Sequence, residues 1–284
     1  MPAENTDRLS TKDRWDASYV PAAGPLGVKG RCKRWLRKLL GENTVALFKD
    51  YDQWLLWEVL YPKFLPRGAG LRVLEIGSAP GTHLIELHRR FGYEPFGVEY
   101  TPAGAELNRA RFAENGIPPE NVIEADVFSE DFCRRYQSHF DVVFSRGLIE
   151  HFKDPDSLVR IHLQLLKPGG TLMIEVPNFR GIYYPWYLLF RRSVLTWHNF
   201  GTMKQRTFQR LCELPGVETN YSGSYGTMSL NMFMLPANFL SPILAVLRAI
   251  PQAGLNCTLR LLFKRGGPET ALCSPHRLYI GVKR

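Results

Sequence analysis

Residues 71–87, LRVLEIGSAPGTHLIEL, constrain the fold of this chain more than any other stretch. Val73, Leu74 and Ile76 form a short apolar run bounded by turn residues, as expected of a strand buried in a parallel sheet. Gly77-Ser78-Ala79-Pro80-Gly81 breaks that run, and residues 82–90 read as a helix with Leu84, Ile85 and Leu87 turned inward. Strand, glycine turn and helix in succession expose backbone N–H groups at a helix N-terminus, beside the carboxyl end of a strand. Open α/β sheets bind nucleotides in that crevice. A glycine turn alone is shared with dinucleotide-binding proteins. Two acids narrow the reading: Glu75 inside the strand, and Glu99 closing a second apolar run at 95–99.

The pattern Glu75-x-Gly77-x-x-x-Gly81 followed by Glu99 resembles the first two motifs of class I S-adenosylmethionine-dependent methyltransferases. Three later segments are similar to the same family in the same order: EADVF with Asp126, FDVVFSRGLIEHFKDP at 140–155, and LLKPGGTLMIEVPN at 165–178. The resemblance covers residues 71–178, a little over a third of the chain, and its ordered set of motifs is specific. It departs from the family at Ala79, where a third glycine is usual, with Pro80 behind it. Alanine is small enough for a cofactor to pass, although glycine permits closer backbone approach.

The resemblance implies a Rossmann-like α/β fold, a seven-stranded, mostly parallel sheet with helices on both faces. It also implies S-adenosyl-L-methionine as cofactor. The turn carrying Gly77, Ala79 and Gly81 would lie against the methionine end. Glu99, with Tyr100 beside it, would accept two hydrogen bonds from the ribose diol, a use that suits a carboxylate. Asp126 would take the adenine amino group and the Val127 N–H would face a ring nitrogen. Glu75 would orient backbone and the cofactor's amino group, and Ser145, near the end of the fourth strand, completes the expected cofactor set. Any one of these acids could be an ordinary solvated strand end. Three in order at the ends of successive strands argue against that.

Methyl transfer from a sulfonium is an in-line displacement with a good leaving group, so the protein contributes positioning and removal of the acceptor's proton. Glu150 and His151 follow the fourth strand, where the methyl group would point. The segment resembles that of ubiquinone-type and sugar methyltransferases, several of which use a histidine here as base. A neutral imidazole with an ordinary pKa near 6.5 can take a proton as a hydroxyl is alkylated, and Glu150 would orient it. An alternative is that His151 caps the next helix or packs under the cofactor. His198, in TWHNFGTM, is the second candidate to meet substrate, whereas His162 reads as an ordinary helix residue. No clear set of metal ligands emerges, and no metal is expected.

In chain order, residues 1–49 read as a basic N-terminal cover and 50–284 as the methyltransferase domain. Within that domain lie a core at 71–178, an aromatic cap at 179–215 and an apolar insertion at 230–275 that forms part of the cap. RWDASY at 14–19 resembles a cofactor-covering entry seen in small-molecule methyltransferases. Residues 50–65 suggest a helix stopped by Pro66. Thr101-Pro102 and Asp154-Pro155 read as helix starts and Asn115-Gly116 as a helix stop. Val122 to Asp126, 140–144 and 171–176 supply the next strands, with 217–225 and 277–282 as the sixth and seventh. The insertion reads as two helices, one starting at Ser241-Pro242 and one over 255–263.

Five scattered cysteines, Cys32, Cys133, Cys212, Cys257 and Cys273, form no CxxC pair, which argues against a disulfide framework and for a reducing cytosol. No secretory signal and no clean apolar run of spanning length is visible. The expectation is therefore a cytoplasmic protein. Net charge is +9, concentrated in part in residues 29–38, a basic amphipathic segment interleaved with Trp35, Leu36, Leu39 and Leu40. It reads either as a surface helix packed on the domain, or as a contact for an anionic membrane or phosphate-bearing substrate. Nucleic acid is the least favoured partner. Together with the 230–263 insertion this segment could rest the protein on the inner face of a membrane.

The reaction expected is O-methylation of a small-molecule or glycan-type acceptor, lipid-linked in one version. Two other classes stay open. A methyltransferase-fold protein could bind cofactor without turnover, and an NAD-dependent oxidoreductase would leave Glu75 and the EADVF and EHFKDP segments without a role.

Overall fold

The apolar runs pair into one seven-stranded sheet in the order β3-β2-β1-β4-β5-β7-β6. Its strands are β1 (Arg72–Ile76), β2 (Glu94–Glu99), β3 (Val122–Glu124), β4 (Phe140–Arg146), β5 (Leu166–Pro177), β6 (Val217–Tyr225) and β7 (His276–Lys283). β7 runs antiparallel to both β5 and β6, and every other pairing is parallel. The computed structural model describes residues 7–19, 50–235 and 241–284. The basic segment at 29–38 and Cys32 lie outside the described residues. The four described cysteines are free.

Strand order reverses between β1 and β4, so the helices following these strands leave from opposite sides and a crevice opens at their carboxyl ends. Side chains alternate across the sheet. Val73, Val142, Phe144, Met173 and Ile280 enter one core together with Leu84 and Leu87 of α3 (Thr82–Phe91) and Phe112 of α4 (Pro102–Glu114). Leu74, Val98, Val143, Ile174 and Val176 enter the other, against Phe132 of α5 (Glu130–Arg135), Leu158 of α6 (Asp156–Leu165) and Phe208 of α9 (Gln205–Cys212). α5, of six residues, is too short to show a periodic pattern in the sequence. Phe179, Tyr183, Tyr187, Val194, Met203 and Met232 form a separate cluster under the cap helices α7 (Tyr184–Phe190) and α8 (Arg192–Thr196).

Helix ends follow local chemistry. Pro102 sits in the first turn of α4, where its missing N–H costs nothing, and α3 ends at Gly92 in the left-handed conformation. The Asp154 carboxylate accepts from the Asp156 N–H at 3.1 Å and so turns the chain into α6, where Pro155 is the N-cap. α2 (51–64) runs continuously but carries a π-turn at Leu56–Leu60 before it stops ahead of Pro66. The insertion differs from expectation: it is one helix, α10 (Ser241–Leu262), not two, and Pro251 is carried inside it on an exposed side. Among the described residues no helix is long and apolar enough to cross a membrane.

The N-terminal segment crosses the crevice as a roof. The His151 carbonyl accepts from the Leu9 N–H, and the Lys153 N–H donates to the Asp7 carbonyl. Further on, α1 (Lys12–Tyr19) presents Asp16, whose carboxylate accepts from the Ala103 N–H at 3.1 Å.

Candidate active site

The turn after β1 works because two of its glycines adopt conformations closed to other residues. Gly77 has φ +74° and lines the cavity. Gly81 has φ +77°, and a Cβ there would lie 2.0 Å from Asn108 Oδ1. Gly81 therefore locks the turn against α4; it does not line the cavity as expected. Asn108 adds to this by donating to Ser78 Oγ at 2.7 Å.

Glu99 closes β2 and is buried. Its Oε2 accepts from the Ala79 N–H at 3.1 Å, while Oε1 accepts from the Thr101 N–H at 3.1 Å and from Thr101 Oγ1 at 2.9 Å. These bonds hold the carboxylate in one orientation at the cavity wall, fill Oε1 and leave lone-pair capacity on Oε2. The cavity, about 200 Å³, is walled by Ile76, Gly77, Ala79, Val98, Glu99, Tyr100, Ala125, Val127 and Leu148.

Arg8, Ser10, Trp15 and Tyr19 of the N-terminal segment also line this cavity; Trp15 and Tyr19 belong to the stretch that resembles a cofactor-covering entry, whereas nothing in the sequence singled out Arg8 or Ser10. The Arg8 guanidinium lies 4.1 Å over the Tyr100 ring and pairs with Asp126 Oδ1 at 2.6 Å. Asp126 is thus committed to Arg8 and to the Phe128 N–H, and its neighbours Ala125 and Val127 supply the wall.

A second groove of about 600 Å³ opens on the other side of the turn and shares Gly77, Ala79 and Arg146 with the first. Trp54 and Trp57 of α2, Glu75, His83 and Arg146 line it. Glu75 therefore faces this groove. Its Oε2 has no hydrogen-bond partner, and burial pushes its carboxyl up to about 8 despite the opposing pull of Arg146.

Arg146, missed in the sequence, organises the groove floor. Nε and Nη2 donate to the two Glu175 oxygens at 2.8 and 2.9 Å, and Nη1 donates to His83 Nδ1 at 2.6 Å. Since arginine only donates, His83 must carry its proton on Nε2, which donates to Tyr61 Oη at 2.6 Å. Burial, with Arg146 adding to it, holds the His83 pKa well below the ordinary value and keeps the ring neutral. His276 extends the network, with Nε2 2.8 Å from Asp52 Oδ2 and Nδ1 3.5 Å from Glu175 Oε1.

Ser145 does not belong to the site. One residue before Arg146, it points to the opposite face of the sheet, where its Oγ lies 2.9 Å from His162 Nε2. His162 in turn donates from Nδ1 to the Leu158 carbonyl at 2.8 Å. Burial lowers its pKa to about 4 and keeps it neutral.

Glu150, His151 and His198 come together, their ligand-type atoms within 4.8 Å of one another. The sequence reading expected no such donor set. The His151 Nδ1–H donates to the Trp197 carbonyl at 3.0 Å and shares that proton with Ser10 Oγ at 3.0 Å. Those contacts orient the ring; Glu150 does not, because both of its carboxyl oxygens are buried without a hydrogen-bond partner. His198 donates from Nδ1 to the Val194 carbonyl at 2.7 Å, and the two rings lie 4.4 Å apart. Both imidazoles therefore keep an Nε2 lone pair. Burial first, then the neighbouring His198, lowers His151 to about 3, while burial raises Glu150 to about 8. His151 is neutral throughout the physiological range and does not titrate near 6.5 as expected.

The sequence pattern of the methyltransferase domain family matches residues 55–213, more than half of the chain. The chain belongs to that family. It is 30% identical over 110 residues to a ubiquinone biosynthesis O-methyltransferase of Xanthomonas euvesicatoria, a match covering 39% of this chain and 44% of the relative. It is 29% identical over 147 residues to the Escherichia coli protein of that name, covering 52% and 60%. The chain thus spans about half the length of the curated relatives it matches. Among solved structures, the geranyl diphosphate C-methyltransferase of Streptomyces coelicolor superposes with a TM-score of 0.52 at 14% identity, over 79% of this chain and 74% of that one. At such identity the likeness is one of fold.

Proposed function

We propose that this protein transfers a methyl group from S-adenosyl-L-methionine to an oxygen of a small acceptor bound against the Trp54–Trp57 groove. The observation that carries the reading is Glu99, pinned by the Ala79 and Thr101 N–H groups at a cavity that meets the second groove at Gly77, Ala79 and Arg146. The sulfonium supplies the methyl group and leaves as the neutral thioether. The acceptor oxygen would reach past the shared Gly77, Ala79 and Arg146 into the cavity and give up its proton there, where His151 lines the wall and its Nε2 is the free base. Trp54 and Trp57 suit a planar or sugar-like ring. The relatives named for ubiquinone biosynthesis favour an oxygen acceptor in a small molecule. In the proposal the cofactor lies along Gly77, Ala79, Glu99, Tyr100 and Val127, with Asp126 fixing Arg8 at the adenine end.

Calorimetric titration should show binding of S-adenosyl-L-methionine and its demethylated product. Glu99→Ala should weaken that binding by about 1–3 kcal/mol, since ribose hydroxyls would lose a buried acceptor. Unchanged affinity in a variant that melts like wild type would move the ribose contact elsewhere.

A second reading of the catalytic cluster is favoured by the two unpartnered Glu150 oxygens. One carboxylate and two imidazoles, each donating Nδ1–H to a backbone carbonyl, form a donor set suited to a divalent cation. Glu150, His151 and His198 would hold it, and it would make the acceptor hydroxyl more acidic. Chelator treatment followed by addition of Mg²⁺, Mn²⁺ or Zn²⁺ should then restore turnover and raise Tm. Indifference of both quantities would leave the cluster metal-free.

A further inference from the structure

We propose that the cap helices α7 and α10 form a docking face for an anionic lipid bilayer, a surface beyond the methyl-transfer site. The first observation is that α10 buries Leu259 and packs Leu255 on the core, yet leaves further apolar side chains on its outer face. Its buried side carries a polar stripe at i, i+4 and i+8: Gln252, Asn256 and Arg260. Gln252 Oε1 accepts from the Leu230 N–H at 2.6 Å, and Asn256 Oδ1 accepts from Gln252 Nε2 at 2.7 Å and the Tyr51 N–H at 3.2 Å. At 100° per residue, positions 247, 250, 254, 258 and 261 fall within about 80° of one another on the other side. All five are exposed, none is charged, and Leu247, Ile250 and Leu261 are 61%, 72% and 63% accessible. A helix that also turns polar groups inward and leaves leucines outward needs an apolar neighbour outside the chain.

The second observation extends this face to α7. Trp186 Nε1 donates to the Met234 carbonyl at 2.9 Å, the Trp186 ring packs 4.4 Å from Phe190, and Arg248 of α10 donates to the Phe233 carbonyl at 2.9 Å. Leu189 and Phe190, 71% and 52% accessible, are thereby linked through Trp186, Met234 and Arg248 to the Leu247 end of α10.

Charge identifies the occupant. Residues 176–212 and 219–268 contain ten of the chain's 36 lysines and arginines and none of its 27 acids, so the remaining 26 cations and 27 acids balance to within one charge. These two stretches, which include most of the cap, therefore carry ten positive charges and no negative one. Among the described residues, no salt bridge involves Arg191, Arg192, Arg248, Lys264 or Arg265. Exposed leucine and phenylalanine side chains set near Arg191, Arg192, Lys264 and Arg265 match a bilayer interface with anionic headgroups, where both contributions add. The apolar partner with complementary charge is the lipid surface.

The full-length protein should co-sediment with phosphatidylglycerol/phosphatidylcholine vesicles at low salt, bind pure phosphatidylcholine vesicles far more weakly, and be partly released by salt. Leu189→Glu and Leu261→Glu should each lower the partition coefficient by about tenfold or more, the worth of one buried leucine, while leaving Tm and affinity for S-adenosyl-L-homocysteine unchanged. Those two readouts separate this proposal from the methyltransferase reading, which can fail independently. Wild-type-like vesicle binding by both variants would overturn the proposal by locating binding elsewhere. So would absence of binding to anionic vesicles, or a dimer in analytical ultracentrifugation that either substitution dissociates, since a second copy of the chain would then cover the face.

Discussion

Replacing His151 by alanine is expected to lower kcat by about 10²–10⁴-fold with little change in cofactor affinity. The ring is held by the Trp197 carbonyl, by Ser10 and by the edge of Trp15 at 4.9 Å, all belonging to the cap or the N-terminal roof and none to the turn at Gly77–Gly81 or to Glu99. Truncation therefore removes the Nε2 lone pair without touching the groups proposed to hold the ribose. Single-turnover rates and calorimetry with S-adenosyl-L-homocysteine check the two halves separately. If affinity and turnover fall together, the histidine is structural and His198 becomes the base to test. Glu150→Gln sharpens the result. If His151 acts alone, the amide should cost much less than the alanine, because Glu150 makes no hydrogen bond to the ring. A loss of similar size would mean that the carboxylate itself is needed, as a cation site requires.

How far the sequence reaches into this site depends on how local the causes are. Glu99 was legible because a carboxylate ending an apolar strand beside a glycine turn can be read within 25 residues. Arg8 and Ser10 were not, since their partners Asp126 and His151 lie 118 and 141 residues away, and no local pattern marks a cation that will stack on Tyr100. Ser145 was assigned to the site because the strand end was recognised but its phase was not. A period of two puts Arg146 on the groove side and Ser145 against His162. The insertion was read as two helices, and Pro251 falls between their expected ranges. In the structure Gln252 and Asn256 bind the Leu230 and Tyr51 N–H groups, so tertiary contacts carry the helix through a residue that local propensity would exclude. The fold itself was legible because strand, helix and glycine signals alternate in strict order from β1 to β5.

The Arg146–Glu175–His276–Asp52 network under the groove should give the largest loss of stability in the molecule. Glu175→Gln keeps the shape of the side chain but leaves Arg146 facing a neutral amide in a largely buried site. Breaking such a pair from one side costs about 3–5 kcal/mol, which for a chain of this size lowers Tm on the order of 10 °C. The same network contributes a pH dependence of its own. Burial alone would lower the His276 pKa, but the Asp52 hydrogen bond and the charges of Glu175 and Asp52 outweigh it, and the folded-state value is raised above 6.5. Its contribution is therefore complete below about pH 6.5, the unfolded value, and is lost as pH rises through the folded one. Burial alone would raise Glu175 and Asp52, but Arg146 for the first and the His276 hydrogen bond for the second outweigh it and hold both below their ordinary values. Their contributions are complete above about pH 4–4.5 and vanish as pH falls through the depressed values. The network's own contribution to Tm should accordingly be greatest between about pH 4.5 and 6.5 and decline on both sides, read as the difference between wild type and a variant lacking it. Replacing His276 by glutamine should lower the summit and flatten the alkaline decline while leaving an acid one. A His276→Gln protein whose Tm falls with rising pH as steeply as wild type would show that another group governs that limb.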